Sequence, residues 1–197
     1  MGRAEESYRA LAERHGWTAH PPQGVQPLTP LLAKGGTFDP AYSGTMPGEF
    51  EGRIGRLTYR GDEGSGTFRF NVVHTRVDEA QAVVPRLFCI RRGRWTDTVH
   101  YGMEIAHAEL WTESEKLNER FKVESAPYQD PIWMRRLFSP VFIDWLAGAF
   151  PHDFSFELAY GDLVGSIEED DPDERTLVGL CEATGYVASR IRKECLE

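Results

Sequence analysis

The densest run of groups that could do chemistry is His100-Tyr-Gly-Met-Glu104-Ile-Ala-His107, with Glu109 two residues on. On a helix, His100, Glu104 and His107 would share a face at spacings of four and three, and Glu-x-x-His is a spacing that metal ligands use. A di-iron carboxylate site needs a second such motif, and the chain carries only this one. Gly102 also disfavours the helix. A mononuclear site would need further ligands, with His74 or His152 as candidates. The plainer reading is loop or strand histidines beside aromatics.

Just upstream, Arg86, Arg91, Arg92 and Arg94 surround the apolar Leu87-Phe-Cys-Ile90. Such arginines could bind an anion, but more often they form a solvated edge that deters strand pairing. Exposed aromatics beside arginines are the usual anchors of an interface, so Arg91, Arg92, Arg94, Trp95 and Tyr101 are candidate binding residues.

Other chemistries find less support. Cys89 lies in an apolar strand and reads as a small buried hydrophobe, although a dyad with a distant histidine stays open. Cys181 and Cys195 would lie about 21 Å apart along one helix, too far to share a metal. Gly61-Asp-Glu-Gly-Ser-Gly66 lacks the lysine ending of a phosphate loop and leads into a strand, and Gly-x-Ser-x-Gly is absent. The acidic run 168–174 lacks the glycine and the terminal glutamate of a calcium loop. The aromatics Trp95, Tyr101, Trp111, Trp133 and Trp145 could line a cavity but read mainly as core and rim packing. No pattern calls for a cofactor.

Composition narrows the function classes. The 197 residues carry a net charge of −9, from 31 acidic against 22 basic residues, which repels a phosphate backbone and argues against nucleic acid as a partner. With 41% hydrophobic and 12% aromatic residues the chain can bury a core within a single domain, 1–197. No apolar run approaches the ~20 residues of a membrane helix. Three cysteines without regular spacing and a charged, helical N-terminus fit a reducing, soluble, cytoplasmic setting.

The elements that must position these groups follow from periodicity. Residues 3–15 form an amphipathic helix with Tyr8, Leu11 and Ala12 on one face and Gly16 as its stop. The Pro/Gly-rich stretch 20–47 reads as loop, with one turn of helix at Pro30–Ala33. The region 50–90 is strand-rich: Phe68, Phe70, Val72 and His74 alternate with Arg69, Asn71, Val73 and Thr75, and an antiparallel meander is expected. Between 108 and 167 come a strand, a short helix at 114–120 capped by Ser114 or Thr112, and a strand at 121–123. Two helices opened by Pro131 and Pro140 and a hairpin around Tyr160-Gly-Asp162 complete it. Trp145 is expected on an apolar face with Val141, Phe142 and Leu146. Residues 173–195 form the last helix. The layout is α+β, a mostly antiparallel sheet covered by helices.

The pattern Glu113-Ser114, Leu117-Asn118, Phe121-x-Val123, Leu137-x-x-Pro140, Trp145-Leu146 and Gly161-Asp162-Leu163 resembles a bacterial protein family of similar length. It shares His15-Gly16-Trp17 at the end of the first helix and a segment like Val84-Pro85-Arg86-Leu87. The family has Phe where Leu117 stands, a volume-tolerant change. Having no established activity, it implies no reaction and no site. The segments 91–95 and 100–107 fall outside the shared pattern.

The sequence is therefore read first as a non-catalytic binding or interaction module, with a protein partner or a second copy as occupant. A metal-dependent enzyme using His100, Glu104 and His107 is the alternative. So is a small-ligand carrier with a cavity between sheet and helices.

Overall fold

In the computed structural model, which describes residues 3–26, 28–60, 67–93 and 108–197, helix α1 (Arg3–His15) buries Ala4, Tyr8, Leu11 and Ala12. That stripe at intervals of three and four packs against the long C-terminal helix α7 (Glu174–Leu196). Helix α7 starts at Asp173, whose carboxylate accepts from the Thr176 N–H at 2.7 Å, and turns Leu177, Leu180, Thr184, Val187 and Ile191 inward.

Both helices lie on one face of a ten-stranded sheet. Its strands are β1 (Thr18–His20), β2 (Gln23–Gly24), β3 (Thr37–Met46), β4 (Phe50–Arg60), β5 (Thr67–Arg76), β6 (Arg86–Arg91), β7 (Ala108–Glu109), β8 (Phe121–Ser125), β9 (Ser155–Ala159) and β10 (Asp162–Ile167). The order is β1-β3-β4-β5-β10-β9-β6-β8-β7, with β2 on β3, and every pairing among the described residues is antiparallel. The remaining helices are α2 (Pro30–Ala33), α3 (Ala80–Val83), α4 (Glu115–Arg120), α5 (Pro131–Leu137) and α6 (Pro140–Gly148).

Two expectations about the strands change. The loop read over 20–47 contains β3, a ten-residue strand whose Tyr42 and Met46 pack on the helix-covered side and whose Phe38 and Ala41 pack on the other. Prolines and glycines mask its alternation, and Phe38 and Ala41 keep one face only because the β3–β4 register shifts between them. Nor do residues 50–90 form one antiparallel meander, because β10 and β9 insert between β5 and β6, and Val83, expected to open a strand, ends helix α3 instead. Short helix α3 turns the chain away from β5, leaving that edge for the later hairpin.

The helix-covered face holds the main core, in which Leu87, Cys89, Val123, Phe156 and Leu158 meet Leu117, Trp133, Leu137, Phe142 and Leu146. Each buried aliphatic side chain there contributes about 1.5–3 kcal/mol of transfer free energy. Pro131 opens α5 behind Asp130, which accepts from the Ile132 N–H at 2.9 Å. Pro140 opens α6 behind Ser139, whose hydroxyl caps no N–H and instead accepts from Arg190 at 3.2 Å. Ser114 caps α4 through the Leu117 N–H, and Thr112 binds the Asn118 side chain. Phe142 and Leu146 are buried as expected, whereas Val141 is 75% exposed and Trp145 packs only partly against the core.

The opposite face is covered differently. Leu31 and Leu32 of α2 sit with Phe38, Leu57, Phe70, Val72 and Val164 in a second, smaller cluster. Beyond that cluster the same face becomes polar.

Candidate functional site

One cross-strand row runs over this second face: Ser43 opposite Arg53, Arg53 opposite His74, His74 opposite Val164, and Val164 opposite Glu157. Side chains alternate across a strand, so Arg76 projects from β5 on the same side as His74, and Asp162 stands opposite it on β10. The tight turn at Tyr160-Gly161 delivers Asp162 there. Both turn residues have positive φ, 51° and 89°, which suits a two-residue hairpin and explains the glycine.

Asp162 is buried and divides its oxygens between two partners. Its Oδ1 lies 2.9 Å from His74 Nε2, and its Oδ2 accepts from Arg76 Nη1 at 3.0 Å. Arg76 also donates through Nε to Asp78 at 3.0 Å, and these carboxylates hold its pKa above the ordinary guanidinium value. Nε2 is the ring nitrogen of His74 that Asp162 engages; Nδ1 makes no hydrogen bond among the described residues. Arg53 Nη1 donates to the side-chain oxygen of Gln23 at 3.2 Å, which ties β4 to β2.

These groups face a cleft of about 540 Å³ between the sheet and the segment running from β2 into α2. Arg53, His74, Arg76 and Glu51 supply polar groups, and Val25, Leu28, Leu32 and Phe38 an apolar wall. Glu157 anchors that wall. Its carboxylate accepts from the Leu31 N–H at 2.9 Å and from the Thr29 hydroxyl. Burial pushes its pKa up to about 7, against the lowering effect of those two donors.

A His–Asp pair needs a nucleophile held against the imidazole. No described hydroxyl or thiol hydrogen-bonds His74; the Ser43 hydroxyl, which lines the same cleft, lies 2.6 Å from His20 Nε2, a separate pair from His74–Asp162. Cys89 is fully buried, and desolvation drives its thiol pKa far up; Cys181 is pushed up to about 12 for the same first reason.

A second concavity, of about 520 Å³, opens where α7 passes the β3–β4 turn and α6. Trp145 and Tyr186 line it with ring centroids 4.2 Å apart, beside Phe150. Gly185 lets Pro47 approach, since a Cβ there would lie 2.6 Å from the Pro47 carbonyl oxygen.

Of the residues singled out by sequence, Arg91 ends β6, with Nε 3.7 Å from Asp153 and its guanidinium 5.8 Å from the Phe121 ring centre. Arg92 donates to the Asn118 carbonyl at 2.8 Å, pairs with Glu109 and lies over Trp111, which is 68% exposed. Arg94, Trp95, His100, Tyr101, Glu104 and His107 lie outside the described residues. Among the described residues no three His, Cys, Asp or Glu side chains converge as metal ligands.

Sequence reasoning missed Arg53, His74, Arg76 and Asp162 as a group. The available signal was the Phe70-x-Val72-x-His74-x-Arg76 alternation, an apolar face that turns polar at one end.

No protein-family model and no curated protein matches the chain. Among solved structures, the mycobacterial trehalose monomycolate transport factor A, TtfA, is similar, with a TM-score of 0.64 over 97% of this chain and 95% of that one, at 11% identity. That likeness establishes a shared α+β fold. No described helix is long and apolar enough to cross a membrane.

Proposed function

We propose that this protein is a non-catalytic binding module whose ligand site is the cleft lined by Arg53, His74 and Arg76. One observation carries the reading: Asp162, buried and bound to both His74 and Arg76, fixes two polar side chains at the rim of a concavity that has an apolar wall. Rigid polar groups beside apolar surface are what a small-ligand site needs, and no described hydroxyl or thiol hydrogen-bonds the His74 imidazole. The fold's occurrence in a protein named as a transport factor agrees with a role that requires no reaction.

The test is a small-molecule screen on ¹⁵N-labelled full-length protein, read by amide shifts. Compounds that bind are expected to move Gly24, Gly52, His74 and Thr75 together. A screen whose binders all map elsewhere would remove the cleft as the site.

A second reading keeps the arginine-rich segment as a protein-facing surface, supported by Trp111 standing 68% exposed beneath Arg92. Trp111→Ala would then weaken self-association or partner binding without moving the cleft amides.

A further inference from the structure

We infer that the cleft takes an organic monocarboxylate with a short apolar arm, an assignment that rests on the ligand-binding reading above. The head group follows from how the charges are paired. Arg76 is occupied by Asp78 and Asp162, and Asp162 is occupied by Arg76 and His74. Arg53 differs: its hydrogen bond goes to the neutral Gln23 side chain, and it pairs with no carboxylate among the described residues. A half-buried guanidinium with donors to spare suits a planar carboxylate, which it can hold bidentately.

The neighbours limit that head to one negative charge. Glu51 stands two residues before Arg53 on the same face and lines the same cleft, its carboxylate accepting from the Thr45 hydroxyl at 2.9 Å. Together with Asp162 it leaves the site without a net positive field, so a dianionic head meets more repulsion than a carboxylate held by Arg53 alone. The arm follows from the opposite wall, where Val25, Leu28, Leu32 and Phe38 offer apolar contact, and from a volume of about 540 Å³, far larger than a carboxylate alone fills.

The experiment titrates full-length protein with butyrate, octanoate, octanol and octyl phosphate, reading amide shifts and calorimetry. Octanoate is expected to move the cleft amides and to bind at least about tenfold more tightly than butyrate, because the added methylenes are buried. Octanol and doubly charged octyl phosphate are expected to bind more weakly than octanoate. Arg53→Gln should weaken octanoate about tenfold, as loss of a charge-assisted bond does. Arg53→Lys, which keeps the charge but not the fork, should fall between, and unchanged melting curves verify that both variants fold. Octanol binding as well as octanoate, octyl phosphate binding better, or Arg53→Gln binding octanoate unchanged would overturn the carboxylate assignment. If octanoate fails while other compounds map to the cleft, the ligand class is wrong and the binding reading survives. If nothing maps there, both fall.

Discussion

The Glu157 carboxylate accepts a hydrogen bond from the Leu31 N–H at 2.9 Å, joining residues 126 positions apart and pinning α2 to the sheet. Its pKa is pushed from 4.5 to about 7 by burial. An acid whose folded pKa lies above its unfolded value holds more protons folded than unfolded between the two, so stability falls as pH rises through that window. Between about pH 4 and 8, which spans both pKa values, wild type should lose on the order of 3 kcal/mol relative to Glu157→Gln, which cannot ionise. Urea denaturation of both proteins at several pH values checks this, and parallel curves would refute it.

Asp162→Asn removes the charge that holds His74 and Arg76 while keeping the side chain's shape. The cost should be about 1–3 kcal/mol, because a buried polar partner is lost. The His74 ring nitrogens should also change their NMR signals, which a distant structural defect would not cause.

Gly165 on β10 faces α7, and a Cβ there would collide with the Thr184 hydroxyl, which donates to the Leu180 carbonyl at 2.8 Å. Gly165→Ala should destabilise by about 1–3 kcal/mol through overpacking. Adding Thr184→Ala should recover part of that loss, so a double-mutant cycle will show coupling. Additive losses would mean the two sites do not touch.

Arg92 braces the end of β6 against α4 and β7 through Asn118 and Glu109. Its half-exposed position makes Arg92→Ala worth about 1 kcal/mol, a fall of roughly 2–4 °C in melting temperature for a chain of this size. No fall would make the residue free for partner contact alone.

Much of the layout could be read directly. The stripe Leu177, Leu180, Thr184, Val187 and Ile191, the proline starts at 131 and 140, and the Tyr160-Gly161 turn are short-range signals, and each element forms where it was expected. Strand β3 could not be read, because Pro40 and Gly44 break its alternation and its support comes from pairing with β4.

The sequence by itself determined the α+β class, the positions of every helix but α3, the excess of acidic charge and the lack of a phosphate-loop pattern, since all of these depend on residue type and local spacing. Tertiary structure alone decided that β10 pairs with β5, and so that Asp162 reaches His74 across 88 positions of chain. Pairing between distant strands depends on which edge remains open once the helices have packed, and no local period records that.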